Sequence, residues 1–132
     1  MCAEYVATLN SKNKRISLPA IALTTDTSFL TAWSNDFEFN SIFQRQIESL
    51  GSKNDTLIAY TTSGNSINIL NALKISREKE INTILLTGND GGLCKNFSDI
   101  SFCIPSNDTM RIQECHTFIG HSICKEVEKN FL

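Results

Sequence analysis

The sequence predicts an α/β domain built on a parallel sheet with helices on both faces. Three observations carry that expectation. Short, continuous apolar runs at Pro19–Thr24, Thr56–Tyr60, Thr83–Thr87 and Ile100–Ile104 alternate with longer segments whose apolar residues recur at helical spacing. Strands that are apolar throughout, rather than at every second residue, are those covered on both faces, as in parallel sheets. Polar clusters follow three of these runs, at Thr24–Ser28, Thr61–Ser66 and Thr87–Gly92. Open sheets of this class bind ligands beyond the carboxyl ends of their strands.

Taken in order, Met1 to about Asn10 reads as a helix that begins without a cap, with Ala3, Val6 and Ala7 on one face. Ser11–Ser17 is a polar, basic loop. The run from Pro19 is a buried strand. Thr25–Ser28 caps a short helix reaching about Trp33, and Asn35-Asp36 makes a turn. Ile42, Phe43, Ile47 and Leu50 mark a helix over Asn40–Leu50 that Gly51 stops. After the strand at Thr56, the residues Ile67, Leu70, Leu73 and Ile75, interspersed with Lys74, Arg77, Glu78 and Lys79, give a helix with one solvated face. The strand at Thr83 is closed by Gly88–Gly92, Pro105 ends the strand at Ile100, and a last helix runs from about Thr109 to Phe131.

The chain has 132 residues, the size of one domain. Its 12 basic and 14 acidic residues give a net charge of −2, with no basic block and no interleaved aromatics, which argues against a nucleic-acid partner. No apolar run approaches the ~20 residues of a membrane span, and the N-terminus lacks signal-peptide order, so a cytoplasmic protein is expected. Five cysteines with no C-x-x-C pair suit reduced thiols.

Thr61-Thr62-Ser63-Gly64-Asn65-Ser66, between a strand and a helix, reads as a phosphate cradle. Free N–H groups and the positive end of the helix dipole point outward there, the hydroxyls add neutral donors, and Gly64 permits close approach or positive φ. A plain helix-capping turn is the competing reading. The two histidines, His116 and His121, are five apart on the last helix and project about 140° from each other, so this pair alone does not chelate a metal.

From Leu18 through Thr24-Thr25-Asp26-Thr27-Ser28, Ser34-Asn35-Asp36, Phe43-Gln44-Arg45-Gln46, Thr62–Ser66, Leu86-Thr87-Gly88, Asp90-Gly91-Gly92 and Arg111-Ile112-Gln113-Glu114 to His121, the chain closely resembles the phosphoheptose isomerases of the sugar isomerase (SIS) superfamily. The resemblance implies a three-layer, flavodoxin-like SIS fold and conversion of sedoheptulose 7-phosphate to D-glycero-D-manno-heptose 7-phosphate, toward bacterial lipopolysaccharide or capsule. It implies a homotetramer with sites at subunit interfaces, and zinc. Thr61, Thr62, Ser63 and Ser66 would hold phosphate, and Asn35 and Asp36 would meet the sugar. Glu4, Gln113 and His121 match the family's metal ligands, and Glu4 and His121 its candidates for proton transfer; Glu4 and Gln113 also count as substrate contacts. Gln113 and His121 lie ~12 Å apart along a straight helix, so one ligand is expected from a neighbouring subunit.

Relatives of this kind carry a longer N-terminal region with a first helix, a first strand and a histidine four before the matched glutamate, so residues 1–132 read as one SIS domain incomplete at its start. An isolated chain is expected to fold poorly or associate, since the lacking strand would be central; a sharp thermal transition in a monomer would count against this. Thr8 stands where relatives often have arginine, and Trp33-Ser34 where they often have a small aliphatic residue and glycine. A non-catalytic SIS-domain adaptor or phosphosugar-binding protein, or an inactive fragment, is the alternative; His121, with Glu4 and Gln113, favours the enzyme for a full-length parent, while the 132-residue chain alone is not expected to show normal activity.

Overall fold

A computed structural model describes residues 1–12 and 14–132; Asn13, in the predicted Ser11–Ser17 loop, lies outside the described residues. The chain divides into two compact units, Leu23–Gln113 and the pair of segments Met1–Ala22 and Glu114–Leu132.

The first of these is the α/β unit. Its helices are α2 (Thr27–Asp36), α3 (Ile42–Leu50) and α4 (Ile67–Glu78), and its strands are β1 (Thr56–Thr61), β2 (Asn82–Gly88) and β3 (Ile100–Ile104). The strands form a parallel sheet in the order β1-β2-β3, with Ala59 opposite Leu85 and Leu86 opposite Phe102. Alternation sends Leu57, Ala59, Thr83 and Leu85 to one face. There Ala59 and Leu85 pack with Leu70 and Leu73 of α4 and with Cys94 in one apolar cluster. Leu86 lies on the opposite face, as does Gly88, where an added Cβ would sit 2.4 Å from Cδ1 of Ile112 on α5 (Thr109–Lys129). Helices therefore flank both faces, as the sequence predicts. Ile47, Ala72 and Ile81 form a second cluster between α3 and α4.

Several predicted elements are corrected. Pro19–Thr24 forms no strand: β1 pairs only with β2 among the described residues, and an apolar run without a ladder partner stays irregular. Asn35 and Asp36 are the last residues of α2 rather than a turn; Asp26 caps this helix, accepting from the Phe29 N–H at 3.0 Å. The stacked rings of Phe29, Trp33 and Phe37, with the Arg45 guanidinium over Trp33 at 5.0 Å, carry the helix past the predicted end. Gly51 does stop α3, but at φ −74°, not in the left-handed region. It is there for space, since a Cβ would lie 2.9 Å from the Ile47 carbonyl oxygen as well as against the Ile81 side chain.

In the other unit, α1 spans only Cys2–Val6 instead of reaching Asn10. The chain turns at Ala7, and the Leu9 N–H donates to Glu128 Oε1 rather than to a helical carbonyl. All five cysteines are free thiols. No helix among the described residues is long and apolar enough to cross a membrane.

Candidate functional site

The predicted cradle is the loop that joins β1 to α4. Thr61, 5% exposed, turns its hydroxyl into the loop: Oγ1 accepts from the Gly64 N–H at 3.2 Å and lies 3.1 Å from Ser66 Oγ. Gly64 takes φ +68°, and a Cβ there would fall 2.0 Å from the Gly91 carbonyl oxygen. Only glycine fits, on conformation and on space.

The loop after β2 is pinned against it. Gly88 N–H donates to Thr62 O (3.1 Å), Cys94 N–H to Gly64 O (2.9 Å) and Leu93 N–H to Asn65 Oδ1 (3.0 Å). Two of the three predicted polar clusters are thus one interlocked structure; the third, around Asp26, caps α2. The part of Asn65 and of the Gly91-Gly92 pair in this interlock is not marked in the sequence beyond their turn chemistry. Only the close approach of two loops reveals it.

Above this support the donors stay open. Ser66 precedes α4 without making a side-chain cap; the Ile69 N–H donates to Asn68 Oδ1 at 2.8 Å and the Leu70 N–H to Ser66 O at 2.9 Å. Among the described residues the N–H groups of Ile67 and Asn68 have no acceptor. Ser63 is exposed and its Oγ accepts from the Asn65 N–H at 3.1 Å; Thr62 is half-buried. Orphan N–H groups at the start of a 12-residue helix, beside neutral hydroxyls, have the chemistry to hold an anion. A side-chain cap would satisfy one of these donors, and Ser66 makes none.

Asn35 and Asp36 are exposed at the end of α2, linked to each other by Nδ2–H donating to Oδ1 at 2.8 Å. Trp33 fixes this end, since its Nε1–H donates to Ser41 Oγ at 2.9 Å. Gln113 is exposed near the start of α5.

The other predicted residues lie in the second unit. Glu4 is half-buried on α1, its Oε2 2.9 Å from the Met1 amino group. The hydrogen bond from that amine, followed by a bond to its own backbone and the attraction of His121, holds the Glu4 carboxyl below the usual glutamate range. His121 is exposed on α5. Glu4 and His121 are therefore within electrostatic reach of each other. Thr8 points inward, its hydroxyl donating to Glu128. His116 is buried.

A zinc site is not assembled by these side chains. Among the described residues no group of three His, Cys, Asp or Glu could hold a metal ion, and Gln113 is eight residues from His121 on the continuous helix α5, ~12 Å along its axis. Glu4 and His121 offer two donors of the right chemistry, and the described residues bring no third His, Cys, Asp or Glu to them.

The model of the SIS domain family matches residues 3–88. A phosphoheptose isomerase of Aliarcobacter butzleri is 52% identical over 117 residues, covering 89% of this chain and 62% of the relative. One from Clostridium acetobutylicum is 47% identical over 129 residues, covering 98% and 65%. The chain thus spans less than two thirds of the length of these relatives. The solved structure of a phosphoheptose isomerase from Neisseria gonorrhoeae superposes with a TM-score of 0.88 at 37% identity, covering 97% of this chain and 67% of that one.

Proposed function

The chain belongs to the SIS domain family, and from that premise we propose that it acts as a ketose–aldose isomerase on sedoheptulose 7-phosphate, giving D-glycero-D-manno-heptose 7-phosphate. The observation that carries this reading is the preformed cradle, with open N–H groups at the start of α4 over an interlocked pair of loops. Proteins named for this reaction are its relatives at 47–52% identity.

The phosphate on C7 docks at Thr62, Ser63, Ser66 and the first N–H groups of α4, with Thr61 supporting the loop from beneath. Binding the far end of the sugar in a rigid site orients the reacting end at little further entropic cost. Asn35 and Asp36 meet the hydroxyls. A base then removes a proton from C1, giving an enediol; a proton is returned to C2, and one passes from O1 to O2 to leave the aldehyde. Glu4 and His121 share these transfers. Glu4 is ionised at neutral pH and so can take the first proton; the Met1 amine that lowers its pKa weakens it as a base, and withdrawal of that amine would strengthen it. Zinc, if bound, would polarise the carbonyl and would need a ligand beyond Glu4 and His121, as in an assembly of four copies with sites at their interfaces. The product is a precursor for heptose in lipopolysaccharide or capsule, made in the cytoplasm.

The test is turnover of sedoheptulose 7-phosphate by the purified chain and by His121→Ala. Turnover that falls by about 10²-fold or more in the variant, with its phosphate affinity kept, supports the assignment. Binding of the sugar phosphate without turnover would replace it with a sensor or adaptor role.

A further inference from the structure

Helix α1 is five residues long with none of them buried, far below the ~12–15 residues at which an isolated helix becomes even marginally stable. Yet it carries Glu4. Its carbonyl end is held by the returning chain. Arg15 Nη1 donates to Tyr5 O at 3.0 Å and Nη2 donates to Glu4 O. Ser17 Oγ donates to Val6 O at 2.8 Å, and Leu18 N–H to Tyr5 O at 3.0 Å. Groups that a longer helix would satisfy internally are thus met by one guanidinium and its neighbours.

That guanidinium is itself fixed. Its side chain is 1% exposed, and Nε donates to Glu128 Oε1 at 3.1 Å. Glu128 Oε1 also takes the Leu9 N–H and the Thr8 hydroxyl. Glu128 follows His121 by seven residues on α5, and seven residues bring a helix back to within about 20° of the same face. The face of α5 that bears His121 is therefore the face on which the clamp is anchored.

We infer that Arg15 is a positioning residue for the proposed isomerisation: anchored on Glu128, its planar fork grips the main chain of Glu4 and Tyr5 and so sets the Glu4 carboxylate against the His121 face of α5. The inference rests on the isomerase reading for its catalytic consequence, but the clamp can be observed without turnover. Arginine suits the task because its donors are rigidly spread, whereas lysine offers the charge without the fork.

The experiment compares the full chain with Arg15→Lys and Arg15→Met. It reads kcat and KM for sedoheptulose 7-phosphate, the thermal midpoint, and hydrogen exchange of the Leu9 and Leu18 amides. In Arg15→Lys, Glu128 keeps a counter-charge; the midpoint stays near that of the parent, the Leu18 amide exchanges faster, and kcat falls by up to about 10²-fold with KM little changed. Arg15→Met shows the same loss with a lower midpoint. Full kcat in Arg15→Lys would show that only neutralisation of Glu128 matters and would overturn the inference, as would unchanged exchange at Leu18 in both variants. A parent chain without turnover, with Leu18 loosened in the variants, would overturn the isomerase reading and the catalytic role together while establishing the clamp.

Discussion

In the Leu23–Gln113 unit the most deeply buried side chains include Leu73, Leu85 and Leu86, each at 0% exposure. In the unit formed by Met1–Ala22 and Glu114–Leu132, an arginine at 1% and a glutamate at 6% side-chain exposure meet instead. The proposed phosphate cradle stands on the apolar unit and the proposed proton carriers on the ionic one. Apolar burial has no charge to titrate, and it supports the loop whose backbone N–H groups are proposed to take the phosphate. A carboxylate gathered by an arginine, a hydroxyl and an amide holds a short helix in one place but depends on its charge state.

The comparison breaks most readily at Leu85. Leu85→Ala removes a side chain from the sealed face of the sheet and is expected to cost about 2–5 kcal/mol in denaturant unfolding. A cost below about 1 kcal/mol would mean that the α4 face relaxes around the cavity, and that this unit does not owe its order to close packing.

Thr61→Val is a smaller change. It keeps the shape and leaves the Gly64 N–H without its acceptor, with an expected loss of about 1–3 kcal/mol and a weaker affinity for the sugar phosphate. Unaltered phosphate affinity would separate the support of the loop from its binding.

The smallest effect sharpens the ionic side. Glu128 is held below its usual range by the Thr8 hydroxyl first, then by the Leu9 amide and Arg15. Because the folded value is lowered, its contribution is fully present above the usual glutamate range and is lost as pH falls through the lowered value. Exchange at the Leu9 amide should therefore quicken on acidification before that of the β2 amides, and Glu128→Gln should remove the pH dependence. The reverse order would mean that Asp99, lowered by its bonds to Thr83 in the sheet unit, yields first.

The same contrast explains what was legible in the sequence. β1, β2, β3 and α4 lie close to their predicted positions because continuous apolar runs and helical spacing are local signals. The loop proposed as a cradle was legible for the same reason: its hydroxyls and Gly64 are contiguous. Pro19–Thr24 misled because apolar composition records burial, not pairing, and strand pairing is a property of a neighbour. The end of α2 was missed because the Trp33, Phe37 and Arg45 stack overrides the turn chemistry of Asn35-Asp36. Arg15 gave no sign of its role, as nothing near it in the chain identifies Glu128.

The β2–β3 contacts are near in sequence, the Thr83 and Asp99 pair being 16 residues apart, whereas Arg15 and Glu128 are separated by 113. Closing a longer loop costs more entropy, and rates fall as contacts become more distant along the chain. The three strands are therefore expected to pair before Arg15 meets Glu128 as the chain refolds. The ion pair that would aim the chemistry is then a late event, and an intermediate caught before it forms would hold the β1–α4 loop in place and Glu4 still loose.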